Sequence, residues 1–430
     1  MRIPHDRSRK LIEKQTNWAG NYIYSAAQWH LPKTVAEVQE VVKSCIKLRA
    51  VGSRHSFNGI ADSSDNMVSL VHCNQILELD REQRTVTVEA GILYGQLARV
   101  LHAEGYALHN LASLPHISVA GACATATHGS GVGNGNLATA VRALEFVSAN
   151  GDRVSLSRDR DPETFPGAVV GLGAPGVVTQ MTLAIHPTFS VRQDVYENLP
   201  MDTLLSQFDA IVSSAYSVSL FTDWRGATIN QLWLKSVVTE SDSLPAEPER
   251  FGATLATVPR HPLIEISAEN CTQQLGAPGP WHERLPHFRM DFMPSAGEEL
   301  QTEYLVPRRH AVDSLRALYE IREQIAPLLQ ISEIRTVAAD DLWMSPCYHQ
   351  DCVALHFTWL KDWPAVRTLL PQIEAALEPF EARPHWGKLF TTPPARLQSL
   401  YTKLPDFQRL VQSYDPQGKF RNDFLDMLFL

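Results

Sequence analysis

The sequence predicts an α+β fold in two parts, and three observations carry that prediction. Helical and strand patterns interleave up to His186-Pro187. Beyond that dipeptide the texture changes to alternating stretches that suit a second sheet. Between 112 and 135 lies a run of small residues with five glycines and almost no charge, too small to fill a core with its own side chains. A chain of 430 residues should form about two or three domains with a sizeable core.

The elements follow in order. Thr34-Val35-Ala36-Glu37 is a capping box that opens a helix with Val35, Val38, Val41, Val42 and Cys45 on one face. That helix leads into a short buried strand, Ile46 to Val51. Arg84 to Glu89 alternates strictly and reads as a half-buried strand, and a helix follows from Gln96 to Ala103, ended by Gly105. Leu144 to Ser148 and Arg153 to Leu156, joined through Asn150-Gly151, form a hairpin. In the second part, strands are expected at Ser217 to Phe221, Gln231 to Lys235, Ile331 to Val337 and Cys352 to Leu360. Helices are expected at His310 to Ala326 and Pro364 to Leu377, and a Pro-rich, irregular stretch runs from Leu244 to Pro286.

Composition narrows the function. A net charge of −9 and a pI near 6.0 argue against nucleic acid and against an anionic membrane surface. The six cysteines have no metal spacing and read as reduced thiols of a cytosolic protein. The basic start, Met1 to Lys10, has no apolar segment behind it, so no secretory signal is expected. The apolar window from Gly167 to Ile185 is broken by glycines and holds Gln180, which suits strands beside a ligand rather than a membrane span.

Chemistry concentrates in three places. The strand ending at Val51 runs into Gly52-Ser53-Arg54-His55-Ser56, a tight loop whose backbone N–H groups suit an anion such as a pyrophosphate and which delivers an imidazole. Residues 112–135 suit a large cofactor laid along backbone and hydroxyl groups. The glycines at 131, 133 and 135 lack the G-x-G-x-x-G spacing, so a Rossmann site is not indicated. On the strand Ile331 to Val337, Glu333 and Arg335 point to one side, about 7 Å apart, and His356 and Thr358 do the same on the next strand. Together they offer a polyol both donors and acceptors. A solvated ion pair and a satisfied strand histidine are the competing reading. His282-Glu283-Arg284-Leu285-Pro286-His287 misses H-E-x-x-H by one place, and Pro286 breaks the helix a zinc site needs, so no metal is expected.

These stretches carry a resemblance. The loop around His55 and the segment Ser113 to Gly135 resemble the FAD-binding domain of flavoproteins of the vanillyl-alcohol oxidase type. The whole chain resembles the bacterial alditol oxidase (xylitol oxidase) family. The matching stretches include Asn17-Trp18-Ala19-Gly20-Asn21, Thr222-Asp223-Trp224-Arg225, Gly279 to Phe288, Glu333 to Asp340, His356-Phe357-Thr358-Trp359 and Pro384-His385-Trp386-Gly387-Lys388. The resemblance implies a two-domain PCMH-type FAD-binding fold. The FAD-binding domain would cover 1–188, a substrate-binding α/β cap on an antiparallel sheet 189–403, and a returning C-terminal segment 404–430.

By the same resemblance His55 carries the flavin covalently through its 8α-methyl group. Ala50, Val51, Gly52, Ser53, Arg54 and Ser56 wrap the phosphates. Ser118, Gly121, Thr125, Ala126, Thr127 and His128 continue along the cofactor, with Val178 near the adenine and His385 against the flavin. Ser113, Glu333, Arg335 and Thr358 match polyol-binding positions, Ser113 also touching the cofactor. Lys388 matches a lysine near flavin N1–C2=O, and His356 stands beside the reacting hydroxyl. Lys388, Arg335 and His356 are the expected catalytic residues, with His356 or Lys388 taking the hydroxyl proton. By its size and its place next to Ser113, Ala112 is expected to leave oxygen a route to the flavin.

The implied activity is oxidation of the terminal hydroxyl of alditols such as xylitol and sorbitol to the aldose, with oxygen reduced to hydrogen peroxide. The expected protein is a cytoplasmic monomer without nucleic-acid or membrane partners. A sugar-1,4-lactone oxidase or dehydrogenase, a non-catalytic carbohydrate-binding protein with an empty flavin site and a nicotinamide enzyme are the alternatives.

Overall fold

The computed structural model describes residues 15–238, 246–290 and 298–429. The basic start read from Met1 to Lys10 and the first residue of the irregular stretch, Leu244, lie outside the described residues.

The first part is built on two sheets. A three-stranded parallel sheet sets Gln28–His30 and Leu48–Val51 on either side of Asn66–Ser69. A five-stranded antiparallel sheet runs in the order Ile76–Asp80, Thr85–Glu89, Val177–Ala184, Val141–Val147, Arg153–Ser157. Val86 and Val88 sit opposite Leu183 and Met181, all four buried, so alternation in each strand assembles one apolar face. Burying such a side chain stabilises by about 1.5–3 kcal/mol. Gly151 turns the 141–157 hairpin at φ +88°, a conformation that favours glycine.

The helix at Val35–Ser44 starts where Thr34 predicts, its hydroxyl accepting the Glu37 N–H at 3.2 Å. The reciprocal half of the capping box moves one residue back: the Glu37 carboxylate accepts from the Lys33 N–H at 2.6 Å. The strand before the His55 loop is shorter than read. It begins at Leu48, and Ile46 is 82% exposed because the chain is still turning out of the helix. The next helix starts earlier, at Tyr94.

The second part is a ten-stranded antiparallel sheet. Its middle runs in the order Ser190–Pro200, Thr228–Val237, Ser217–Thr222, Leu329–Val337, Cys352–Leu360, Glu299–Pro307, and Arg383–Pro384 closes it. The expected helix from His310 to Ala326 is broken. It runs Ala311–Glu320, leaves helical angles at Ile321 (φ −102°, ψ 14°), and resumes as the short turns Arg322–Ile325 and Ala326–Leu328. Pro327 has no N–H to continue the ladder.

The two faces of this sheet differ in kind. Leu220, Leu232, Leu234, Ile334, Leu355, Phe357, Trp359 and Tyr304 pack in one core cluster with the helices Met201–Val212, Ala311–Glu320 and Trp363–Leu377. The opposite face carries polar and charged side chains, and it faces the first part of the chain. After Lys388 the chain returns to that part. Leu404, Phe407, Leu410, Val411, Leu425 and Leu428 share a core cluster with Val86, Val88 and Phe146.

Candidate active site

A single cavity of about 780 Å³ runs from the His55 loop, along the glycine-rich segment, to the polar face of the large sheet. Arg49, 2% exposed, anchors the loop from below. Its guanidinium donates to the carbonyls of Gly173 (2.9 Å), Phe420 (2.7 Å), Leu172 (2.8 Å) and Ile60. From above, Trp18 N–H donates to the Arg54 carbonyl at 2.8 Å, and the Asn17 and Asn21 amides donate to the carbonyls of Ser56 and Phe57 at 2.9 and 2.8 Å. The Asn17-to-Asn21 stretch is therefore the outer clamp of the loop.

Gly52 is fixed by close approach. A Cβ there would stand 2.2 Å from Ser118 Oγ, and one at Gly121 would stand 2.8 Å from the same atom. The Ser53 hydroxyl accepts the Ser118 N–H at 3.1 Å and lies 3.1 Å from His55 Nδ1. Trp18 stacks on the imidazole, centroids 5.3 Å apart and planes at 20°. With one ring nitrogen engaged and one face covered, His55 Nε2 is buried without a partner. Burial, aided by His116, pulls the imidazole down to about 4, so it is neutral and one of its two ring nitrogens carries a lone pair.

Sheet register gathers the substrate end. Glu303 lies opposite His356, His356 opposite Glu333, and Gln301 opposite Thr358. Directly opposed residues share a face, so three neighbouring strands present one polar row. Arg335 joins it two residues from Glu333 and donates to Glu303 at 2.9 Å and to the Ser113 hydroxyl at 3.3 Å. Lys388 arrives from the closing segment, 4.0 Å from Glu303 and donating to Gln301.

The hub of this constellation, Glu303, is a residue that sequence reasoning missed. It is 1% exposed, with its Oε1 near Arg335 and 3.2 Å from His128 Nε2, and its Oε2 3.5 Å from His356 Nδ1. Burial alone would raise its pKa. The charges and hydrogen bonds of His128, Arg335 and His356 outweigh that and hold it well below the usual carboxylate range. Glu333 is likewise held ionised against burial by Arg335 and His287, whose Nε2 lies 2.7 Å from its Oε1. Burial together with Lys388 lowers His356 to about 4, while Glu303 pushes it back up. Burial lowers Lys388 and takes His385 to about 3. The signal for Glu303 was present in Glu299-Leu300-Gln301-Thr302-Glu303-Tyr304, a period-two pattern with its polar half facing inward.

The solvated-pair reading of Glu333 and Arg335 does not hold, since they are 5% and 7% exposed. Ser113, Glu333, Arg335, His356, Thr358 and Lys388 all line the cavity. So do Ala50 to Ser56, Ser118, Gly121, Thr125, Thr127, His128, Val178 and His385. Ala126 does not: at φ +54° it turns into the apolar core, and its methyl packs there. His128, Glu303 and His385 place ligand atoms within 4.8 Å of one another, a grouping no sequence spacing announces. Arg335 and Lys388 already surround that carboxylate, so a dication would meet two cations there. A long trough with a glycine cradle at one end, an orphaned imidazole nitrogen and a fixed cation near the other suits a flavin dinucleotide.

Residues 26–157 match a family described as an FAD binding domain, and 293–428 one described as D-arabinono-1,4-lactone oxidase. The chain is 50% identical over 414 residues to the alditol oxidase of Streptomyces sp. (strain IKD472 / FERM P-14339), covering 95% of this chain and 97% of that one. It is 26% identical to the L-gulonolactone oxidase of Mus musculus, over 96% of this chain and 97% of that one. Among solved structures, a cholesterol oxidase from B. sterolicum aligns with a TM-score of 0.77 at 16% identity, covering 97% of this chain and 96% of that one. The shared architecture is the two-domain α+β PCMH-type FAD-binding fold, and the extent of identity to the Streptomyces enzyme places this chain in the alditol oxidase family of FAD-binding oxidoreductases.

Proposed function

We propose that this protein oxidises the terminal primary hydroxyl of alditols such as xylitol and sorbitol to the aldose and passes the electrons to oxygen, giving hydrogen peroxide. The observation that carries this reading is the convergence of Ser113, Glu333, Arg335, His356, Thr358 and Lys388 on the cavity that also holds the His55 loop. Bound FAD supplies the hydride acceptor. The protein's part is to hold the alcohol and move its proton.

An ionised Glu333 accepts from substrate hydroxyls, and Arg335, paired to both Glu333 and Glu303, donates to them. The Ser113 and Thr358 hydroxyls can do either. A chain of alternating donors and acceptors suits a polyol, whose every hydroxyl does both. His356 takes the C1 hydroxyl proton at Nε2, the atom 3.1 Å from Thr358 Oγ1, while its Nδ1 faces Glu303. The imidazolium so formed lies beside a carboxylate, which lowers the cost of accepting the proton. Lys388 supplies a fixed positive charge where negative charge develops on the cofactor. His55, neutral and with a free Nε2, is the covalent tether. We also assign the FAD-binding part to 1–188, the cap to 189–403 and the returning segment to 404–430.

A sugar-1,4-lactone oxidase is the second reading, favoured by the match of 293–428. Oxygen uptake and peroxide release measured with xylitol, sorbitol and an aldono-1,4-lactone separate the two. Fast turnover of the alditols with little lactone oxidation is expected, and the reverse order would overturn the proposal.

A further inference from the structure

Behind Glu333 lies a pair of residues that the chemistry above does not use. Lys235 is 1% exposed and sits on the polar face of the large sheet, two strands from Glu333. Its ammonium meets three acceptors: the carbonyls of Leu285 (2.5 Å) and Pro286 (3.1 Å) and Nδ1 of His287 (3.1 Å). Burial lowers Lys235 to about 7 while Glu333 pulls it back up; as the ammonium its three N–H bonds match the three acceptors, and it is the donor in each contact.

With the lysine charged, the imidazole's tautomer follows. A nitrogen that accepts from Lys235 carries no proton, so the proton of a neutral His287 resides on Nε2. Nε2 is the atom 2.7 Å from Glu333 Oε1. The ring cannot turn away, because Phe221 and Trp233 hold it edge-on with centroids 5.5 and 5.3 Å distant. The His287 backbone N–H donates to the Ser113 carbonyl at 3.2 Å, which ties the same residue to a second wall of the pocket.

We propose that Lys235 and His287 are positioning residues for alditol binding: Lys235 fixes the Nε2–H tautomer of His287, and His287 holds Oε1 of Glu333 so that Oε2 faces the substrate hydroxyls. This rests on the assignment of Glu333 to polyol binding. Without the lysine, the imidazole is free to carry its proton on Nδ1 and bond the Leu285 or Pro286 carbonyl. A lone pair would then face the Glu333 carboxylate and push it out of place. The His282-to-His287 stretch, which fails as a metal motif, would serve in this way through its second histidine.

Two measurements test the pair. Nitrogen NMR of histidine-labelled holoenzyme, with the His287 signal identified from His287→Gln, should show the Nε2–H tautomer in the native protein and its loss in Lys235→Met. This readout needs no substrate, so it stands whether or not alditols are the substrate, and a native Nδ1–H tautomer overturns the proposal. Steady-state kinetics with xylitol should show KM raised about ten- to hundredfold in Lys235→Met, the size of a lost charge-assisted hydrogen bond, with kcat changed less. In an E333Q background the same substitution should add little. An unchanged KM in flavin-loaded Lys235→Met, or losses that add fully in the double variant, would refute it. Should Lys235→Met fail to fold, His287→Phe is read in the same cycle, with the same two outcomes.

Discussion

Replacing Glu303 by glutamine tests the centre of the site, because every cation and base near the reacting hydroxyl leans on that one carboxylate. The substitution Glu303→Gln would keep the shape but remove the charge, and the new amide would point N–H groups at donors already there. At 3.5 Å, two unit charges in a medium of effective dielectric near 20 interact by roughly 4–5 kcal/mol. Part of that is screened by Arg335, which loses the same partner at 2.9 Å. A net loss of about 2.7 kcal/mol in stabilising a protonated His356 is a reasonable expectation, equal to about a hundredfold in rate. It falls at the low end of what a positioned general base contributes. The sign on pH is also fixed. Glu303 raises His356, so its removal moves the acid limb of the rate profile below about 4. The assay is anaerobic reduction of the bound flavin by xylitol in a rapid-mixing instrument, with the flavin spectrum and circular dichroism used to verify loading and fold. A reduction rate within about threefold of the native protein, with flavin retained, would refute the role given to Glu303.

Three further outcomes are expected. His55→Ala should leave FAD bound without a covalent link, so that acid precipitation sends the yellow colour to the supernatant; a yellow pellet would refute the tether. Gly52→Ala should sharply lower FAD content, since its Cβ falls 2.2 Å from Ser118 Oγ. Adding Ser118→Ala should restore loading, because the Ser118 Cβ is 3.5 Å from the same point; failure of the double variant to recover would argue against that contact as the cause. Thermal stability should fall as pH drops from 6.5 toward 4. His287 and His356 (each lowered from 6.5 to about 4) and His385 (lowered to about 3) are neutral in the fold, so the unfolded chain binds protons first in that window. Their contribution is complete above 6.5, and a Tm that stays flat from pH 6.5 to 4 would contradict it.

Period-two stretches such as Arg84 to Glu89 and Cys352 to Leu360 were legible because one face of each strand meets a core. Glu333, Arg335, His356 and Thr358 could be placed on shared faces for the same geometric reason. Their partner Glu303 was harder to place, because a strand with alternating Glu and Gln looks solvated until its register sets Glu303 opposite His356 on the cavity wall. The Lys235 and His287 contact was equally hidden, its members 52 residues apart. Helix ends were less legible than faces. The break at Ile321 and the late start at Leu48 depend on how the chain must turn to reach its neighbours, which no local pattern records.

The charge balance of the pocket explains why so many ionisable groups tolerate burial. Glu303 and Glu333 contribute two negative charges, Arg335 and Lys388 two positive ones, and His356 and His385 are held neutral by burial; Lys235, behind Glu333, is met by two carbonyls and His287. A buried network in which each charge meets a partner avoids the penalty of an unpaired charge, which for a broken pair reaches about 3–5 kcal/mol. It also suits an uncharged substrate, which enters without altering that balance. In the proposed reaction the transfer of the hydroxyl proton to His356 changes the local charge, and it does so next to Glu303, whose carboxylate lies within 4.0 Å of both His356 and Lys388. Glu333, turned toward His287 and Arg335, is left to bind in the proposed reaction. Two carboxylates on one sheet face thus take different tasks because of their neighbours, and substitutions at the two positions should differ accordingly: Glu303→Gln acting on the rate of reduction, Glu333→Gln first on KM.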